Sequence, residues 1–387
     1  MVVTGLEKLL QDPTLVRGRK VGMLVNPVSV DRKLRHAVDL ALAAGWNVVR
    51  LFGPEHGVRG EAQDMETVAE DRDRLTHLPV VSLYGATEAS LRPRPEDLEG
   101  IDVLVVDLQD IGSRYYTYVW TAAFCAEVCG ELGIDVVVCD RPNPLGGVTV
   151  EGNVVTEGFG SFVGAFPAAT RHGMTCGEVL RLYVGDRCNL TVVEMDGWTR
   201  GLWYDQTGLP WVMPSPNMPT LDTATVYPGM CLLEGTNLSE GRGTTRPFEL
   251  FGAPWLDAVA LAEQFDARLL PGVAVRQVSF KPMFQKHAGH HCAGLQLHVT
   301  DRETFRSVDV ALALMQDIRA LHPDDFGWRE EAYEFVADKL AIDLLLGDPL
   351  VRHALEDGAD ITQITAALAA ARQGFMEARA AALLYAV

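Results

Sequence analysis

The chain has 387 residues, 48 % hydrophobic and 22 % charged, the profile of a globular protein longer than one ordinary core. With 52 acidic against 33 basic side chains the net charge is −19, which argues against a nucleic-acid partner and against an anionic membrane surface. No apolar run approaches the ~18 residues of a membrane span.

The first twenty residues, MVVTGLEKLLQDPTLVRGRK, have no unbroken apolar segment behind a basic cluster. They read as the start of a cytoplasmic chain, or of an exported one if a leader has been lost. Four β-branched runs then alternate with helical patterns: KVGMLVNP (20–27), NVVRLFGPEHG (47–57), IDVLVVDLQD (101–110) and IDVVVCDRPNP (134–144). Near-continuous Val, Ile and Leu suit strands buried on both faces of a parallel sheet. The segments 32–45 and 118–133 read as crossover helices, each ending on a glycine suited to a helix C-terminus. A helix around 176–184 and a strand over 189–198 continue the alternation. From 210 to 254 the chain is dense in Gly, Pro, Asn, Ser and Thr and reads as a long functional loop. Beyond Trp255 comes a second unit: a helix, two strands (VAVRQVSFKP and GLQLHVTD), a helix in SVDVALALMQDIRALHP and a last helix near 360–385. The expected class is α/β, a Rossmann-like mostly parallel sheet domain over 1–253 with a smaller α+β carboxyl-terminal domain over 254–387. Seven scattered cysteines read as reduced, buried thiols.

The loops that leave the carboxyl ends of parallel strands emerge on one edge, where open α/β sheets bind ligands. Here the four endings gather Asn26, Glu55, His56, Asp107, Gln109, Asp110, Arg114, Tyr116, Asp140, Arg141 and Asn143. The dinucleotide glycine fingerprint, the phosphate loop, the G-x-S-x-G elbow and the H-E-x-x-H zinc motif are all missing, so no cofactor and no metal is expected. Carboxylates beside Asn, Gln, Arg, Tyr and Trp suit carbohydrate chemistry. Sugar hydrolysis needs one carboxylic acid to protonate the leaving oxygen, and a second group as base or nucleophile. A glutamate in a glycine-flanked turn, partly desolvated, suits the first role.

With GMLVNPVSVDR, LFGPEHGVRGEAQD, DLQDIGSRYYTYVWT, DRPNPLGG, RHGMTCGEV, SPNMPTLDTATVYPGMCLLEGTNLSEGRGTTRPFELFGAPW and FKPMFQKHAGHHCAGLQLHVTD in this order, the chain resembles the NamZ-type exo-β-N-acetylmuramidases over nearly its whole length. The resemblance implies release of terminal N-acetylmuramic acid from the non-reducing end of peptidoglycan fragments. It also implies an active-site cleft at the junction of the two domains, with the glutamate of GPEHG, Glu55, as the catalytic residue.

Glu55 is thus expected as general acid/base. His56 either orients it, binds substrate or is structural. Arg114 either meets the lactyl carboxylate of muramic acid or braces its own loop; Gln109 and Asp110 accompany it. Tyr116 and Tyr118 are ring platforms or core. Arg141 and Asn143 bind substrate or hold the proline turn, and His172, just before a helix that Thr175 caps, is expected among the substrate-binding residues. Asn26, Asn217, Asn237, Ser239 and Arg242 complete the expected substrate contacts, and Glu234 is the expected second carboxylate, unless the substrate's acetamido group is the nucleophile. The expected partner is a small carbohydrate or muropeptide, with oligomeric state open. A non-catalytic amino-sugar or muropeptide-binding protein on the same fold is the alternative.

Overall fold

The computed structural model describes residues 1–59 and 72–387. Chain order begins with helix α1 (Gly5–Gln11), strand β1 (Lys20–Val25), helix α2 (Ala37–Ala43) and strands β2 (Asn47–Gly53), β3 (Val80–Ser82) and β4 (Val103–Asp107). Helix α3 (Tyr118–Leu132), strand β5 (Asp135–Cys139), helix α4 (Cys176–Val184) and strand β6 (Leu190–Val193) come next. All six strands pair in parallel in the order 3-2-1-4-5-6, that of a dinucleotide-binding Rossmann sheet. The expected α/β class and the expected strands are present, and β3 is an addition that three residues of sequence do not announce.

Alternation along the strands builds two layers. Val103 and Val105 of β4 turn to one face, where Leu6, Leu9, Val38 and Ala41 of α1 and α2 cover them. Leu104 and Val106 turn to the other, packed with Val119, Val179 and Leu180 of α3 and α4. Helix α3 ends on Gly133 at φ 69°, as its sequence predicts.

The expected loop over 210–254 is not structureless. Thr220 caps a helix α5 (Leu221–Met230) that continues into a 3₁₀ turn (Cys231–Gly235). Thr-rich sequence with Pro228 inside hides this helix from propensity, but tertiary partners hold it. The Gly229 amide donates to Ser307 Oγ at 2.7 Å, and a Cβ on Gly229 would stand 1.9 Å from the Ser307 carbonyl oxygen. Packing has overridden propensity here.

The remainder is β7 (Leu250–Ala253), α6 (Ala258–Asp266), β8 (Val273–Phe280), β9 (Cys292–Val299), α7 (Ser307–Leu321), α8 (Ala341–Leu346), α9 (Leu350–Glu356), α10 (Ile361–Ala371) and α11 (Gln373–Ala382). Strands β7, β9 and β8 form a small antiparallel sheet. The single last helix expected from the sequence is two, α10 and α11, and the cysteines are all unpaired. No described helix is long and apolar enough to cross a membrane.

Candidate active site

In this strand order a ligand crevice is expected beyond the carboxyl ends of β1 and β4, where the chain departs in opposite directions. That crevice is filled from within. Arg141 donates to both oxygens of Asp107, at 2.6 and 2.8 Å, and to the Val30 carbonyl at 3.0 Å. Burial opposes the Arg141 charge, but Asp107 more than offsets it and raises its pKa. Asn26 accepts from the Val28 amide at 3.2 Å, and Ser29 donates to the Asp107 carbonyl.

The open cavity lies one strand over. Glu55 stands on the turn after β2, where the Gly57 amide donates to the Pro54 carbonyl at 2.9 Å. His56 at φ 70° and Gly57 at φ 83° both take left-handed backbone. Glycine does so freely, whereas a histidine there is strained, and such strain collects at functional sites. Glu55 and His56 are 7 % and 8 % exposed. Thr117 Oγ1 donates to Glu55 Oε2 at 3.0 Å, and the His56 ring meets Tyr118 edge-on with centroids 6.5 Å apart. Thr117 and Tyr118 open α3, so the end of β2 and the start of this helix make one wall. Residues 60–64 of the LFGPEHGVRGEAQD motif lie outside the described residues.

The 3₁₀ turn after α5 supplies the facing wall. Arg242 Nη1 donates to Glu234 Oε1 at 2.5 Å, and the Tyr333 hydroxyl to Oε2 at 2.8 Å. Behind them Glu240 lies 3.4 Å from Arg242 and 2.9 Å from Lys286 Nζ. Lys286 also donates to the carbonyls of Leu233, Thr236 and Leu238 at 2.8 to 2.9 Å. Burial alone would raise the Glu240 pKa, but Lys286 and Arg242 hold it well below the usual carboxylate range. Alternating charges therefore run inward from Lys286 to Glu234.

Between the walls lies a cavity of about 510 Å³, part of it open to solvent. Of the predicted residues it is lined by Glu55, His56, Tyr116, Asn217, Glu234 and Arg242. Tyr118, expected as platform or core, lines it too, and Tyr115, Thr117, Ser215, Tyr227, Phe248, Tyr333 and Glu334 join without having been expected. The rings interlock edge to face, Tyr116 with Tyr118 at 4.9 Å and Tyr227 with Phe248 at 4.7 Å. Burial pushes the hydroxyls of Tyr116, Tyr118 and Tyr227 up, so they remain protonated donors. The Tyr116 hydroxyl is buried without a well-formed hydrogen bond among the described residues.

The other predicted residues hold loops together and do not line the cavity. Arg114, fully buried, donates to the carbonyls of Asn153, Ala168 and Leu345 at 2.8, 2.9 and 2.6 Å. Gln109 donates to the carbonyls of Asp110 and Pro142, and Asp110 lies 3.2 Å from His172 Nε2. Asn143 donates to the Met174 carbonyl, Asn237 to the Asp325 carbonyl, and Ser239 accepts from the Gly241 amide. Asn26 and Arg141 belong to the filled crevice. Thr175 caps α4 in a reciprocal box with Glu178, as its sequence predicts.

The family model described as "Exo-beta-N-acetylmuramidase NamZ, N-terminal" matches residues 21–222, and its C-terminal companion matches 225–385. The chain is 42 % identical to the peptidoglycan beta-N-acetylmuramidase NamZ of Bacillus subtilis (strain 168), over 99 % of its own length and 91 % of the relative's. A solved DUF1343 family protein of Bacteroides fragilis NCTC 9343 superposes with a TM-score of 0.90 at 35 % identity, covering 99 % of each chain. A second from that organism gives 0.79 at 27 % identity over 100 % of this chain and 99 % of its own. With both family models together spanning nearly the whole sequence, the chain belongs to the NamZ exo-β-N-acetylmuramidase family.

Proposed function

We propose that the protein is an exo-β-N-acetylmuramidase acting on peptidoglycan fragments, with Glu55 as proton donor and Glu234 as a carboxylate that stays ionised. The observation that carries the assignment is the contrast between two glutamates on one cavity. Glu234 receives a guanidinium and a phenol, partners that favour its anion. Glu55 receives the neutral hydroxyl of Thr117 from a site walled by buried aromatic rings. Two carboxyl groups in unlike surroundings divide acid and anion roles between them.

Glu55 gives its proton to the glycosidic oxygen as the bond to the anomeric carbon breaks, and the ring acquires positive charge. Glu234 stabilises that charge, and Glu55, now a carboxylate, takes a proton from the incoming water. The Tyr116 hydroxyl is available to the substrate's polar groups. Arg242, the one guanidinium among the described lining residues, is the candidate for the lactyl carboxylate. With the domains divided between 253 and 254, Glu234 belongs to the first, and Tyr333 and Glu334 close the cleft from the carboxyl-terminal side.

The test is release of N-acetylmuramic acid from a chromogenic β-N-acetylmuramide by wild type and Glu55→Gln. Glutamine keeps the shape and loses the proton, so the rate falls roughly 10²–10⁴-fold with the fold intact. Undiminished turnover by Glu55→Gln would move the acid elsewhere.

A further inference from the structure

Tyr333 and Val336 exchange backbone hydrogen bonds, 2.9 Å each way, and so close a two-residue turn at the cavity mouth. Its central residues are Glu334 at φ 45° and Phe335 at φ 69°. Turns with two left-handed central residues favour Asn-Gly, and a Glu-Phe pair is strained there. The strained turn is bound to the site on both sides. Tyr333 donates to Glu234, and Glu334 lines the cavity while accepting from the Tyr84 hydroxyl at 3.3 Å. The Phe335 ring lies 5.8 Å from that of Tyr84, which lies 5.9 Å from Phe162. Tyr84 and Phe162 are each 3 % exposed, whereas Phe335 is 36 % exposed. A row of aromatic rings thus starts in the core and ends in a partly exposed ring, next in the chain to the lining residue Glu334.

We propose that this turn recognises the leaving sugar, with Phe335 as the platform for the apolar face of an N-acetylhexosamine and Glu334 as acceptor for its hydroxyls. The inference rests on the muramidase reading: an exo-acting enzyme holds one terminal sugar in its cavity, so the next residue of the glycan lies at the mouth. A ring held out to solvent by a backbone that prefers glycine is what a platform requires. Packing on Tyr84 fixes the ring's position and leaves a third of it uncovered.

The test compares wild type with Phe335→Ala, Phe335→Gly and Phe335→Trp on two substrates, the N-acetylmuramyl-β-1,4-N-acetylglucosamine disaccharide and methyl β-N-acetylmuramide. For the disaccharide, kcat/KM falls roughly tenfold in the Ala and Gly variants, chiefly through KM, and Trp restores it. The methyl glycoside, which lacks the second sugar, changes less than about twofold. Phe335→Gly melts no lower than wild type, since it removes the backbone strain along with the ring. Equal losses on both substrates, or none on the disaccharide, would overturn the proposal. If wild type cleaves neither muramide, the muramidase reading fails by itself. Calorimetric binding of the disaccharide to Glu55→Gln, with and without Phe335→Gly, then decides the turn's role: weaker binding without the ring supports it, and unchanged or undetectable binding in both overturns it.

Discussion

Two polar clusters sit at the same edge of the parallel sheet, and they have opposite characters. At the ends of β1 and β4, Asp107 is paired twice with Arg141, and Ser29 and Asn26 bond their own loops. At the end of β2, Glu55 has a neutral hydroxyl for a partner, His56 has a strained backbone, and a buried tyrosine hydroxyl has no well-formed bond among the described residues. The first cluster is closed by a buried ion pair, with only the Asn26 amide nitrogen lacking a partner among the described residues, whereas the second faces an open cavity. Polar residues after a strand show where a site can form, and an open cavity beside them marks the candidate.

Glu55→Gln and Arg141→Leu together put the contrast at risk. The first loses roughly 10²–10⁴ in rate and keeps its melting temperature. The second leaves Asp107 buried without its partner and loses about 3–5 kcal/mol of stability by urea titration, while its folded fraction still turns over. Destabilisation of similar size by Glu55→Gln would erase the distinction. A smaller effect sharpens the filled side. Asp140 directly follows β5, and its burial raises the carboxyl to about 6 although Thr175, Tyr385 and the Gly177 amide bond to it. Because the folded value lies above the ordinary 3.8, this group favours the fold most in acid, and that contribution is lost as pH rises through 6. Asp140→Asn, which resembles the protonated form, therefore gains on wild type by on the order of 1–3 kcal/mol between about pH 4 and pH 7 in urea midpoints. Smallest is Tyr333→Phe, which removes one donor from Glu234; kcat on the chromogenic muramide falls about five- to tenfold.

Much of the fold was legible. Buried parallel strands announce themselves by unbroken Val and Leu, and α3 by its terminal glycine. Helix α5 was not, because Thr-rich sequence around Pro228 contradicts the helix that Ser307 and α7 impose. In the site, Glu55, His56 and Glu234 were legible because each carboxylate ends an apolar run. Arg114 and Arg141 looked equally functional, since sequence records a guanidinium but not the carbonyls or carboxylate that occupy it. Tyr333 stands 99 residues beyond its partner Glu234. No local pattern spans that separation.

Arg114 is also a lock between distant parts of the chain. Two of its three carbonyl partners, Asn153 and Ala168, come from the connection between β5 and α4, and the third from α8 near the other end. Tyr385, close to the carboxyl terminus, returns to Asp140 in the same manner. A fragment ending before α8 would bury this guanidinium with one of its acceptors missing, a cost that small domains rarely tolerate. The two ends of the chain are therefore expected to unfold together, which a single calorimetric transition of the whole chain would check.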